Sequence, residues 1–141
     1  MTSSQISDPA VIARVLTGSS LWFVVGLSNN TSRAAYGVAK VLRAHGKTVV
    51  PIHPSAPVVE EVQGYPTLAD ASAVHGAPDV VDLFINSHLV GPVVDQAIDV
   101  GARAVWLQLD VIDQAAAVRA VAAGVDVVMD RCPAIEWPLL A

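Results

Sequence analysis

This chain of 141 residues lacks a second cysteine, a long apolar run and an excess of positive charge. Its single cysteine, Cys132, excludes an internal disulfide framework. No apolar run approaches the roughly 18 residues of a membrane span, and residues 1–9 lack the basic and apolar regions of a signal peptide. The net charge of −5 argues against nucleic acid, whose phosphates select basic surfaces. We therefore expect a cytoplasmic protein that contacts neither a membrane nor nucleic acid.

Short apolar runs alternate with segments of helical periodicity, a pattern typical of α/β proteins. Hydrophobic residues make up 53% of the chain, as expected when strands are covered on both faces. The predicted strands are 21–25, 48–52, 79–85, 104–107 and 125–129. Because parallel strands need crossover connections, we predict a Rossmann-like three-layer sandwich with a mainly parallel sheet.

The predicted organisation is a single domain over residues 21–141, with a helix in residues 1–20 packed on it. Asp8-Pro9 is a typical helix start, an N-cap followed by proline at the first helical position. Residues 55–64 have only a weak pattern, which predicts a loop that can include a short helix. Pro92 is expected near the first turn of the helix that follows the third strand.

In such folds ligands bind beyond the carboxyl ends of the strands, where the winding direction switches. This rule selects the segments that follow each predicted strand: 26–33, 53–54, 86–87, 108 and 130–132. We expect all of them to lie along one edge of the sheet.

Segment 21–40 is the most informative part of the sequence. A strand pattern ends at Gly26, five small hydrogen-bonding residues fill 28–32, and helical spacing follows. The free N–H groups and the dipole of that helix would face an anion. Arg33 is predicted in its first turn, with Tyr36 and Lys40 further along the same face. A cation there opposes the dipole and is easier to explain if it binds phosphate; a solvated surface arginine is the alternative.

Standard nucleotide-site and catalytic motifs are missing from the sequence. Ser28 occupies the second glycine position of a dinucleotide fingerprint, and Ile52-His53-Pro54 offers no acid to bind a ribose diol. The four histidines lack metal-ligand spacing, and no nucleophile–base–orienter set can be identified. We therefore predict no metal and no catalytic residue. Cys132 follows Arg131 and is a candidate thiol site, with a buried unreactive cysteine as the alternative.

Five sequence pieces occur in the order found in a known family. They are Val-Val-Gly-Leu-Ser-Asn-Asn with Ser-Arg-Ala-Ala-Tyr-Gly-Val-Ala-Lys, Val-Val-Pro-Ile-His-Pro, Asp-Val-Val-Asp-Leu-Phe, Ala-Val-Trp-Leu-Gln-Leu and Val-Val-Met-Asp-Arg-Cys-Pro. The chain from 22 to 139 thus resembles the small stand-alone CoA-binding proteins, relatives of the CoA-binding N-terminal domain of succinyl-CoA synthetase α subunits. Where relatives commonly have asparagine the chain has His53, and Ile85-Asn86 replaces an arginine that often follows the phenylalanine.

The resemblance implies a Rossmann-like domain that binds coenzyme A. It places the phosphates at the first loop, with Tyr36 and Lys40 supporting that end, and the nucleotide near His53-Pro54 and the loop after Phe84. Together with the strand-end rule, the expected ligand-binding residues are Gly26, Ser28, Asn29, Ser32, Arg33, Tyr36, Lys40, His53, Pro54, Asn86, Ser87, Gln108 and Arg131.

The preferred hypothesis is a CoA or acyl-CoA binding protein without catalytic machinery of its own, present as a monomer or small homo-oligomer. An enzyme is the alternative, either an NAD(P)-dependent oxidoreductase or the CoA-binding part of an acyl-CoA ligase completed by a partner chain. A third hypothesis is that Cys132 forms a mixed disulfide with the thiol of CoA.

Overall fold

A computed structural model describes residues 6–140. In chain order its elements are α1 (Pro9–Thr17), β1 (Leu21–Val25), α2 (Ala34–Ala44), β2 (Thr48–Ile52), β3 (Val58–Val59), β4 (Val62–Gln63), α3 (Leu68–His75), β5 (Val80–Leu83), α4 (Ser87–Asp99), β6 (Ala104–Leu107), α5 (Gln114–Ala122), β7 (Asp126–Met129), α6 (Pro133–Glu136) and a 3-10 turn (Trp137–Leu139). None of the helices in this range is long and apolar enough to cross a membrane.

Five parallel strands form the central sheet, in the order β2-β1-β5-β6-β7. The chain moves outward from β1 to β2 and then returns past β1 to β5, so the winding direction switches between β1 and β5. Apolar side chains of α3, α4 and α5 cover one face, and those of α1, α2 and α6 cover the other. The predicted Rossmann-like three-layer sandwich is confirmed.

Helix α1 packs on the sheet through three buried side chains, those of Ile12, Val15 and Leu16. Asp8 caps it by accepting a hydrogen bond from the Ala10 N–H, as its position before a proline predicts. Burial of these three side chains supplies about 1.5 to 3 kcal/mol each, so α1 belongs to the core packing.

Two local expectations are wrong. Segment 55–64 contains neither a loop alone nor a helix but the antiparallel pair β3 and β4, joined by Glu60 and Glu61. Both glutamates have positive φ, 48° and 68°, in a two-residue hairpin turn that usually selects Asn-Gly. Pro92 lies inside α4 and not near its first turn, because Asn86 caps that helix and starts it well before the proline.

Candidate functional site

A cleft of about 740 Å³ opens at the carboxyl ends of the strands, over the switch between β1 and β5. Sixteen residues line it: Val25, Gly26, Ser28, Asn30, Arg33, Ala34, Ala35, Ile52, His53, Pro54, Pro66, Phe84, Ile85, Gln108, Leu109 and Val111. Polar groups cluster near β1 and α2, whereas Phe84, Ile85, Leu109 and Val111 make the β5–β6 side mostly apolar. The cleft therefore offers one end suited to an anion and another suited to an apolar or amide-containing chain.

Gly26 forms the turn at the end of β1. Its φ is +95°, and its N–H donates to the Ile52 carbonyl at 2.8 Å. A Cβ at this position would lie 2.7 Å from the Phe84 carbonyl oxygen, closer than such atoms approach. Only glycine therefore fits, and its bare backbone forms part of the cleft wall.

The N-terminus of α2 points at the cleft without a side-chain cap. Arg33 is the N-cap residue, in extended conformation (φ −83°, ψ 142°), so its predicted place in the first turn is wrong by one position. Arginine has no acceptor to offer the first N–H groups, and among residues 6–140 its side chain makes no cap hydrogen bond. Ala34 and Ala35 line the cleft there, and their small side chains leave these N–H groups accessible.

The loop before α2 is organised by Asn30, a residue that was not among those predicted. Its Oδ1 accepts from the Ser32 N–H at 3.1 Å and from the Ser32 hydroxyl at 2.6 Å. The Asn30 N–H in turn donates to Ser28 Oγ at 3.2 Å. The preference of asparagine for such local turns is the sequence feature that could have identified Asn30.

Four residues predicted near the phosphates lie outside the cleft. Asn29 donates its Nδ2 hydrogen to the Val58 carbonyl at 2.8 Å, and the Tyr36 hydroxyl donates to Glu60, so both fasten the β3–β4 hairpin. The bond to Glu60 raises the pKa of the Tyr36 phenol. Ser32 bonds within the loop, and Lys40 is exposed with its Nζ 5.8 Å from the centre of the Tyr36 ring.

On the β2 side, His53 and Pro54 line the cleft as the strand-end rule predicts, together with Pro66. The His53 Nδ1 accepts from the Ser55 N–H at 3.1 Å, which fixes the orientation of the ring. An imidazole and two proline rings thus form part of the cleft wall here.

On the other side, Gln108 follows β6 and lines the cleft, but Asn86 and Ser87 do not. Asn86 accepts from the His88 N–H as the cap of α4. The Ser87 hydroxyl donates to the Asp110 carbonyl at 3.1 Å and accepts from the Ile112 N–H at 2.9 Å, so it holds the 108–112 loop in place. These two residues support the cleft wall without reaching the cleft.

Arg131 and Cys132 are not brought to the cleft. The Arg131 guanidinium is exposed and donates to the Asp130 carbonyl at 2.9 Å. The Cys132 side chain turns into the core layer on the α2 side of the sheet and is 8% exposed. Segment 130–132 does follow β7 at the same carboxyl edge of the parallel sheet as Gly26, as expected. It does not line the cleft, because β7 is the edge strand farthest from β1 on that side.

Three side chains carry buried polar atoms that have no hydrogen-bond partner among the described residues. Neither carboxylate oxygen of Asp82 in β5 has one, and burial raises the pKa of this carboxyl well above its usual 3.8. The Oε1 atom of Gln108 is the second case, and Nη1 of Arg43, whose Nη2 donates to the Val59 carbonyl, is the third. No group of three or more metal-ligating side chains occurs among residues 6–140.

The switch-point cleft, the glycine turn and the uncapped helix N-terminus define a Rossmann-like domain with a ligand cleft at its expected place. A family model described as CoA binding domain matches residues 20–138. The chain therefore belongs to the CoA-binding domain family, which confirms the resemblance seen in the sequence.

The chain is also similar to individual proteins along most of its length. The chain is 26% identical over 128 residues to Uncharacterized protein YneT of Bacillus subtilis (strain 168), covering 91% of this chain and 93% of that protein. A solved structure of a hypothetical protein from Pyrococcus horikoshii OT3 is 33% identical, with a TM-score of 0.86 over 94% of this chain and 91% of that one.

A larger protein contains the same fold. The apo form of Ca. Korarchaeum cryptofilum dinucleotide forming Acetyl-coenzyme A synthetase 1 matches 84% of this chain with a TM-score of 0.69 and 22% identity. The match spans 28% of that chain, so the similarity concerns one part of it and shows the fold.

Proposed function

We propose that this protein binds CoA or an acyl-CoA in the cleft and holds its pyrophosphate at the N-terminus of α2. The observation that carries the proposal is an uncapped helix N-terminus, flanked by Arg33 and Gly26, that opens onto a cleft of about 740 Å³. Helix N-termini bind phosphate through free N–H groups and the dipole. Membership of the CoA-binding domain family supports CoA as the ligand.

The residues present fit the parts of CoA. Arg33 can pair with phosphate oxygens, and Gly26 leaves room that any Cβ would fill. The rings of His53, Pro54 and Pro66 offer contact surface for the adenosine, which lies near the end of β2 in related folds. No carboxylate is among the sixteen lining residues, so nothing there repels the phosphates.

We propose that the protein binds CoA or an acyl-CoA and catalyses no reaction on it. Arg33 and His53 are the ionisable side chains among the sixteen lining residues. The His53 Nδ1 lies 2.9 Å from the Ser55 hydroxyl, but Ser55 is not among the lining residues, so this pair places no nucleophile in the cleft. Cys132 faces the core, which argues against a mixed disulfide with CoA. An NAD site is disfavoured because the end of β2 supplies no acid for the ribose diol.

Thermal denaturation in the presence of CoA, dephospho-CoA, NAD and ATP tests the proposal. A ligand at 100 times its dissociation constant stabilises the folded state by about 2.7 kcal/mol, which gives a clear rise in melting temperature. We expect that rise with CoA. Stabilisation by NAD, with no effect of millimolar CoA, would overturn the proposal.

The second candidate is the CoA-binding part of an acyl-CoA ligase completed by a partner chain. The observation that favours it is the match to part of an acetyl-coenzyme A synthetase. Affinity purification of the tagged protein at native expression level tests it, and recovery of a stoichiometric subunit with an ATP site would favour the ligase. Recovery of the protein alone, as a cytoplasmic monomer or small homo-oligomer, would favour the free binder.

A further inference from the structure

Gln108 lines the cleft and carries a buried side-chain acceptor that has no partner among the described residues. The residue is 5% exposed, and its Oε1 has no hydrogen-bond partner among residues 6–140. Its main chain is fully used in the fold, because its N–H donates to the Leu83 carbonyl and its carbonyl accepts from the Val111 N–H at 2.9 Å. The backbone of Gln108 is thus fixed by hydrogen bonds, while its side-chain acceptor has no partner among the described residues.

An unpaired buried acceptor destabilises a fold by about 1 to 3 kcal/mol. A leucine or methionine could fill the same volume between Leu109 and Val111 without this cost. An unpaired buried group in a native structure calls for an explanation, and a bound partner that supplies the missing donor is one. The missing partner must be a donor, which excludes the phosphates of CoA.

The position of Gln108 in the sheet tells which part of CoA it meets. The strand order places β2 on one side of β1 and β5 then β6 on the other. Adjacent strands are about 4.8 Å apart, so Gln108 lies roughly 10 Å from the phosphate end, on the side away from His53. With the adenosine at β2, the other substituent of the pyrophosphate, the pantetheine arm, must run toward β6.

Resting on the proposed function, we infer that Gln108 recognises the pantetheine arm by accepting a hydrogen bond from one of its amide N–H groups. The arm is a thin chain with two amides, and the apolar walls around Gln108 suit its methyl and methylene groups. In this arrangement Arg33 selects for phosphate and Gln108 selects for the arm. A nucleotide without the arm leaves the Gln108 acceptor unpaired, which discriminates against ADP and ATP.

The test compares Gln108→Met with the wild type, and Gln96→Met serves as the matched control on the exposed face of α4. Calorimetry measures affinity for CoA, 4′-phosphopantetheine and ADP. We expect Gln108→Met to weaken CoA and 4′-phosphopantetheine by about 10-fold or more and to leave ADP unchanged, because only the first two carry the donor. Gln96→Met should behave as wild type with all three.

Unliganded stability separates recognition from a structural role. Removal of an unpaired acceptor should leave the melting temperature of unliganded Gln108→Met equal to or above that of the wild type. A lower melting temperature together with equal weakening of all three ligands would show that Gln108 only supports the cleft, and it would overturn the inference.

A change in the ligand gives an independent test. Ester analogues of 4′-phosphopantetheine, with oxygen in place of each amide N–H in turn, remove the donor. One of them should bind the wild type about 10-fold more weakly than the amide, and Gln108→Met should bind both equally. Equal binding of all analogues to the wild type would refute the inference while CoA binding itself stands, whereas absence of CoA binding to the wild type would refute the proposed function.

Discussion

The two ends of the sheet treat their polar groups in opposite ways. At the amino-terminal end, Asp79 accepts from the N–H groups of Ser20 and Leu21 at 2.8 and 2.9 Å, and Arg14 pairs with Asp126 at 2.8 Å. At the carboxyl-terminal end, within residues 6–140, the N-terminus of α2 has no side-chain cap and the Gln108 acceptor has no partner. The polar groups named at the amino-terminal end are bonded within the protein, and these two at the carboxyl-terminal end are not. Substitutions at the amino-terminal end should therefore change stability, and substitutions at the carboxyl-terminal end should change ligand affinity.

The largest effect on the free energy of unfolding is expected from Gly26→Ala. This residue lines the cleft, so it is an exception to the rule that substitutions at this end change only binding. The positive φ and the 2.7 Å approach to the Phe84 carbonyl should together destabilise the fold by about 3 kcal/mol or more. Chemical denaturation measures this loss. Gly37→Ala is the control, because a Cβ there meets nothing within 4 Å and glycine disfavours the helix interior, so this variant should be equal to or more stable than wild type. Equal behaviour of the two variants would contradict the role assigned to the Gly26 turn.

The next largest effect concerns the closed end. Asp79→Ala removes the acceptor for two backbone N–H groups and should lower the free energy of unfolding by about 2 kcal/mol, with CoA affinity unchanged. Denaturation and calorimetry on the same samples check both quantities, with Asp99→Ala on α4 as the control for loss of a carboxylate. A loss of CoA affinity that matches the loss of stability would show that the two ends are not separable.

Arg33→Ala is the converse change at the open end. Because the exposed Arg33 makes no cap hydrogen bond in the described chain, stability should stay within about 0.5 kcal/mol of wild type. CoA affinity should fall about 10-fold and pantetheine affinity should not, since only CoA carries phosphate. Arg103→Ala at the opposite end should leave CoA affinity unchanged. An equal loss for CoA and pantetheine would mean that the arginine is structural.

Asp82, like Gln108, is buried without a partner among the described residues. It differs from Gln108 because it is fully buried in the sheet and does not line the cleft. Burial raises the pKa of its carboxyl in the folded state, so the folded protein keeps a proton that the unfolded chain has released. The free energy of unfolding should therefore decrease as pH rises from about 4 toward the folded-state pKa, by up to about 1.4 kcal/mol per pH unit. Asp82→Asn should flatten this part of the stability profile, measured by denaturation between pH 4 and 8. An unchanged profile would show that Asp82 titrates normally.

Much of this organisation could be predicted from the sequence. The apolar runs and glycine stops located the five strands of the sheet, and the strand-end rule led to Gly26, Arg33, His53 and Gln108, all of which line the cleft. These inferences depend on local patterns and on the fixed geometry of parallel sheets, which the sequence carries directly.

The features that could not be predicted depend on contacts between segments that are far apart in the sequence. The β3–β4 hairpin has glutamates where its turn type favours asparagine and glycine, so no turn signal marked it. Without the hairpin, nothing indicated that Asn29 and Tyr36 are occupied by bonds to it. The unpaired Oε1 of Gln108 could not be predicted either, because an absent partner is a property of the packed structure.

The bonds that Asn30 makes to Ser28 and Ser32 bear on the thermodynamics of ligand capture. They set the shape of the loop before any ligand arrives, so its backbone loses little freedom when one does. The binding site at this end is then preorganised, and the loss of conformational entropy on binding comes mainly from the flexible ligand. Affinity differences among ligands should accordingly reflect how rigid each ligand is when free.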